Sequence, residues 1–161
     1  MRLFRLTGLN QPTIESAFSG EGGKHAAGRW NSLGTPLVYA STSESLACLE
    51  TLVHLPSHRS LGERLLYTLD VPDKYCAEQK PEKLPEDWKS LPPSPNTQEL
   101  GDTWFREQQS IVLLVPSVII PHENNALINT RHPAFDWKLV GGPSAFAYDV
   151  RLKQKSRKSA S

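Results

Sequence analysis

Short apolar runs alternate with long polar stretches along this chain, and the spacing within the runs switches between two periods. Met1–Thr7 (MRLFRLT) alternates apolar and basic residues, as an opening strand does. Ser19–Gly34 is a Gly-rich loop, and Pro36 introduces a short strand at Leu37–Ala40. The run SESLACLETLVHL has helical spacing. Ser41 and Glu44 stand at the Ser-x-x-Glu spacing of a capping box, and Pro56 ends the helix. A second strong strand is predicted at Arg64–Val71 (RLLYTLDV). Asp73–Asn96 is rich in Pro, Lys and Glu and reads as a long surface connection rather than core. Ile111–Val115 and Val118–Ile120 are apolar β-branched runs interrupted by Pro116, forming two strands or one bent strand. A polar loop, HENNALINTRHPAFDW, leads to a last alternating strand at Ala145–Leu152. Many strands and few helices predict a mixed, mostly antiparallel α+β domain over residues 1–152.

Composition narrows the class. A chain of 161 residues suits one domain, and its formal net charge of +1 is too balanced to make the whole surface attract nucleic acid. Cys48 and Cys76 are far apart, in neither a disulfide framework nor a zinc spacing, so a reducing cytoplasm is expected. The N-terminus lacks the long apolar run of a signal peptide, and no segment approaches the roughly 18 apolar residues of a membrane span. Residues 153–161 form a basic stretch with few apolar anchors, expected to be a solvated tail.

Candidate chemistry gathers in two places. GRWNSLGTPLVYAS crowds an arginine, a tryptophan and an asparagine into one turn, where Gly, Pro and Ser would suffice. Arg29 is either a surface staple or an anion-binding guanidinium approached past flanking glycines. Gly20, Gly22, Gly23 and Gly28 form neither a P-loop nor a dinucleotide fingerprint. Trp30 reads as core. Tyr39 and Val38 point to opposite faces of their strand, leaving the phenol half wet or available for stacking. On the helix, Glu50 and His54 share the narrow side that the leucines and Val53 leave free. That side faces water or a cleft; a helix so widely apolar favours burial nearly all round, and periodicity leaves the choice open.

Other candidates are weaker. Ser110 and Ser117 lack a Gly-x-Ser-x-Gly elbow. His25, His54, His58, His122 and His132 show no HExxH and no cysteine companions, so no metal site is indicated.

Taken together, GRWNSLGTPLVYASTSESLACLETLVHL resembles the signature of the RES domain, named for its arginine, glutamate and serine. LGDTWF and LLVPSVIIPHENNALINTRHPAF are similar to that family's second half. The likeness runs from Met1 to about Leu152. It implies the toxin of a bacterial toxin–antitoxin pair, with a fold like diphtheria-toxin-type ADP-ribosyltransferases. NAD would be the substrate rather than a bound cofactor, cleaved by hydrolysis or phosphorolysis; the alternative is ADP-ribose transfer to a protein. The implied partner is an antitoxin with an Xre-like helix-turn-helix, so DNA would be met only through it. By this resemblance Arg29, Tyr39 and Glu50 are the catalytic residues, with Arg29 and Tyr39 also contacting NAD. Ser117 matches the family serine with Ser110 as its rival, and Asn129 and Arg5 are further binding candidates. Asn129-Thr130-Arg131-His132-Pro133 departs from the family's usual Asn-Pro before His-Pro. A rival of another class is a regulatory module holding nucleic acid through Arg29 and the basic tail.

Overall fold

A computed structural model describes residues 1–55 and 61–152. His58 and the basic tail, residues 153–161, lie outside the described residues. Seven strands among the described residues form one sheet: β1 (Arg2–Thr7), β2 (Val38–Ser41), β3 (Arg64–Asp70), β4 (Cys76–Glu78), β5 (Val112–Pro116), β6 (Asn124–Ile128) and β7 (Val140–Phe146). Their order is β4-β5-β6-β2-β1-β3-β7, and every neighbouring pair is antiparallel except β4–β5. The α+β, mostly antiparallel expectation therefore holds. Among the described residues four α-helices accompany the sheet: α1 (Ile14–Ala17), α2 (Glu21–His25), α3 (Glu44–Val53) and α4 (Pro95–Glu107). No helix among the described residues is long and apolar enough to cross a membrane.

The sheet is buried on both faces. Leu3, Phe18, Val38, Tyr67, Leu69, Val112 and Ile128 build one core. Trp30, Leu37, Trp104, Leu113, Val115 and Leu127 build the other, beneath α4. Alternation within a strand sends successive side chains to opposite layers, so Val112 and Leu113 serve different cores.

Several local expectations give way to tertiary context. Ser41 lies inside β2, where its hydroxyl donates to Asn125 Oδ1; Ser43 is the residue that caps α3, accepting from Leu46 N. The helix ends at His54, before Pro56. Leu49 and Val53 are exposed rather than buried, so α3 is not covered all round. The Asp73–Asn96 connection contributes an edge strand, β4, and its end enters α4. Val118–Ile120 is not a strand, whereas the supposedly polar loop supplies β6 in the middle of the sheet. The last strand is Val140–Phe146, ahead of the predicted Ala145–Leu152.

One discontinuity matters for function. β1 runs in register with β3 from Arg2↔Asp70 to Thr7↔Leu65, but meets β2 only at Phe4↔Ser41. Beyond that pair β1 and β2 part, and α3 packs over both.

Candidate active site

The hollow at this parting has a volume of about 520 Å³, within the roughly 300–1,000 Å³ usual for small-molecule sites. Arg5 comes from β1, Arg29 from the turn before β2, Tyr39 and Ser41 from β2, Glu50 and His54 from α3, and Asn125 from β6. Three side chains from a turn, a strand and a helix, Arg29, Tyr39 and Glu50, thus line one cavity.

Glu50 is half-buried and anchored through one oxygen. Its Oε1 accepts a 2.8 Å hydrogen bond from Ser117 Oγ and another from Asn125 Nδ2. Its Oε2 has no hydrogen-bond partner among the described residues. Both donors to Oε1 are neutral, so no cation is spent on the carboxylate and one oxygen remains available. Ser117 is itself fixed, because its oxygen accepts from Ile119 N and Ile120 N at 3.0 Å each. Ser110 is elsewhere: it accepts from Trp104 Nε1 and donates to the Val112 carbonyl inside the core. Of the two serines, Ser117 is the one whose hydroxyl reaches Glu50.

Arg29 is held by carbonyls. Its Nη1 donates to Trp88 O at 2.5 Å and Ser90 O at 3.0 Å, leaving Nε and Nη2 without protein partners among the described residues. Burial pulls its pKa down, opposed by the charge of Glu50. Arg5 reaches across the parting, with Nε on Ala17 O at 2.8 Å and Nη1 on Tyr39 O at 2.7 Å. Burial lowers its pKa to about 10, which still leaves it charged at neutral pH. A guanidinium has five N–H donors, so each arginine retains three after these contacts.

The Tyr39 phenol is spent on the turn. Its hydroxyl donates to Asn31 Oδ1 at 2.6 Å and accepts from Trp30 N at 3.2 Å. Burial drives its pKa upward, so it stays neutral, and its ring forms wall rather than acid. Asn31 completes the turn by donating to Gly23, Ala26 and Ser32 carbonyls. A Cβ on Gly28 would sit 2.7 Å from the Tyr39 hydroxyl, so glycine is needed for this approach. Helix α4 braces the back of the turn: Gln98 Nε2 donates to Gly28 O, and Asp102 accepts from Ser32 N and Oγ. Gly101 allows that contact, since a Cβ there would lie 1.8 Å from Trp30 O.

Asn129 does not join the site. It is fully buried, its Nδ2 donates to Phe105 O, and its Oδ1 accepts from Arg131 N. Its amide is consumed by backbone, away from the hollow. The asparagine that reaches Glu50 is Asn125, which sequence reasoning missed. Its signal was the NNALI alternation, which puts Asn125 and Leu127 on one face. No group of three or more His, Cys, Asp and Glu side chains among the described residues could hold a metal ion.

The sequence profile of the RES domain matches residues 2–149. The chain belongs to the RES domain family. Among RES relatives, "Toxin Res" of Yersinia enterocolitica serotype O:8 / biotype 1B is 37% identical over 154 residues, covering 95% of this chain and 100% of that protein. The "Prs ADP-ribosylating toxin" of Sphingobium sp. is 40% identical over 141 residues, 86% of this chain and 88% of that one. A solved structure, the M. tuberculosis MbcT-MbcA toxin-antitoxin complex, superposes with a TM-score of 0.71 at 18% identity, covering 94% of this RES chain and 86% of the matched chain. At that identity the likeness speaks for the fold alone.

Proposed function

We propose that this protein is the toxin of a toxin–antitoxin pair and that its hollow cleaves NAD at the nicotinamide–ribose bond. The observation that carries the reading is the divided Glu50 carboxylate, with Oε1 fastened by Ser117 and Asn125 and Oε2 open, beside two arginines with unspent donors. As the C–N bond breaks, its electron pair passes to the ring nitrogen and cancels the pyridinium charge. Nicotinamide departs neutral, so no strong acid is required at it. The ribose carbon gains oxocarbenium character, which a fixed carboxylate stabilises without reorganising. An acceptor oxygen then bonds to that carbon and loses its proton to solvent.

The diphosphate supplies the anion that Arg5 and Arg29 lack. Arg29 offers its Nε–Nη2 edge and Arg5 its Nη2 end, two forks suited to two phosphoryl groups. NAD is substrate in this reading, and the residues need no further cofactor for the step. The acceptor is water or phosphate. The name of the Sphingobium relative favours a second acceptor, a protein side chain. Exposed Leu49 and Val53, one turn apart on α3, give an apolar rim that an antitoxin with an Xre-type helix-turn-helix would cover, and the relative named "Toxin Res" supports a toxin's role for this chain. The setting proposed is the bacterial cytoplasm.

The deciding experiment incubates purified protein with ribose-labelled NAD and identifies the products. Free nicotinamide with ADP-ribose or its phosphate supports cleavage, and labelled protein supports transfer. NAD left intact at high enzyme concentration would falsify both.

A further inference from the structure

The arginine of the turn is aimed by a segment that never touches the hollow. Both contacts to Arg29 Nη1 come from backbone carbonyls 59 and 61 residues away, Trp88 and Ser90. Those carbonyls belong to a strap with little regular structure, and a strap of that kind needs fixing points. One is Trp88, whose ring lies 6.4 Å from that of Trp30. The other is Asp87. Its Oδ2 accepts from Ser94 Oγ at 2.6 Å and from Asn96 Nδ2 at 3.2 Å, tying the strap to the first turn of α4. Ser94 is buried and caps α4 by accepting from Asn96 N at 3.0 Å.

We propose that Asp87 is a positioning residue for Arg29: through the strap it holds Nη1 on two carbonyls and so turns the Nε–Nη2 edge toward the ligand. Carbonyls rather than carboxylates perform this task, and the choice has a consequence. They orient the guanidinium without neutralising it, so its charge remains for an anion. With Asp87 gone the strap loses its tie to α4, Nη1 competes for other acceptors, and the free edge no longer points one way. The ligand-binding part of this inference rests on the NAD reading; the aiming of Arg29 does not.

Two readouts separate them. The first is the Arg29 side-chain Nε–H resonance in ligand-free protein, assigned by its loss in Arg29→Lys. In Asp87→Ala this signal is expected to shift and broaden. In Asp87→Asn, whose Oδ1 can still accept from Ser94 and Asn96, it returns to the wild-type position. Asn96→Ala, which removes one of the two donors, serves as a milder variant with an intermediate effect. The second readout is ADP-ribose titration in a Glu50→Gln background, where Asp87→Ala should weaken binding about tenfold, as for loss of one charge-assisted fork. With Glu50 intact the same change should raise KM and leave kcat unaltered. An unmoved Arg29 signal in Asp87→Ala, or equal ADP-ribose affinity where the parent binds, overturns the inference. A moved signal in a protein that binds no ADP-ribose supports the aiming of Arg29 and defeats the NAD reading instead.

Discussion

Ser117 Oγ donates to Glu50 Oε1 at 2.8 Å across 67 residues of sequence, joining the end of β5 to the middle of α3. Because the same oxygen of Ser117 accepts two backbone N–H groups, the hydroxyl has one proton to give, and it gives it to Glu50. Glu50→Gln should therefore keep the fold while lowering NAD consumption at least about a hundredfold, since the amide cannot stabilise a cationic sugar. Ser117→Ala should cost about 1–2 kcal/mol of stability and about ten- to a hundredfold in rate. Denaturant unfolding and a nicotinamide-release assay check the two effects. A Glu50→Gln protein as active as the parent defeats the assignment.

Arg29→Lys tests the fork. An ammonium can reach one carbonyl or one phosphoryl oxygen, but it has no second planar edge. Affinity for ADP-ribose should fall about tenfold or more despite the conserved charge. Calorimetric titration against the parent gives the answer, and unchanged affinity would mean that charge alone suffices.

Tyr39 provides a pH signature. Its folded pKa is raised above the ordinary value of 10.0 by burial, so the neutral phenol favours the fold. That contribution is complete below about pH 10 and is lost as pH climbs above it, where the unfolded chain ionises first. Arg5 acts in the opposite sense, because its lowered pKa makes stability rise from about 10 upward. Comparing wild type with Tyr39→Phe at each pH cancels Arg5. The difference between them should shrink from about 1–2 kcal/mol near neutrality as the solution becomes strongly alkaline.

Thr7 is 5% exposed and lines the hollow, yet its buried hydroxyl has no hydrogen-bond partner among the described residues. Thr7→Val exchanges that hydroxyl for a methyl of nearly the same shape. Relief of an unsatisfied buried group should stabilise the ligand-free protein by about 1 kcal/mol, raising Tm by about 2–4 °C. A lower Tm would show that the hydroxyl has a partner.

The legible parts of this molecule were those whose side chains declare one role. Alternating apolar residues marked β1, β2 and β3, whereas Arg29, Tyr39 and Glu50 each kept two readings on pattern alone and were singled out by their match to the RES signature. They line one hollow. Where a residue type serves two masters, the sequence misled. Ser41 has the spacing of a cap, yet its pairing with Asn125 in the sheet takes it into β2 and leaves the cap to Ser43. Asn124 and Asn125 look like loop, yet they open β6 because Ser41 and Glu50 satisfy the Asn125 amide from both ends. Helix α4 was missed: its sequence, PNTQELGDTWFRE, has a proline at the start, a glycine in the middle and few apolar positions. Its reason for being a helix is tertiary, in Trp104 packing into the core and Asp102 and Gln98 gripping the turn. The polar side of α3 also turned inward for a reason no helical wheel contains: Ser117 just past β5 and Asn125 on β6 wait for Glu50.

Arg5 donates to the Tyr39 carbonyl at the place where β1 and β2 have separated. A single guanidinium thus does the work of the missing rungs of the ladder, and the emptiness beside it exists because the two strands stay unzipped. Sheet integrity and ligand capacity are consequently rivals in this architecture. An apolar residue at position 5 would strip the Ala17 and Tyr39 carbonyls of their shared donor, so the wall of the hollow and its cation would be lost together.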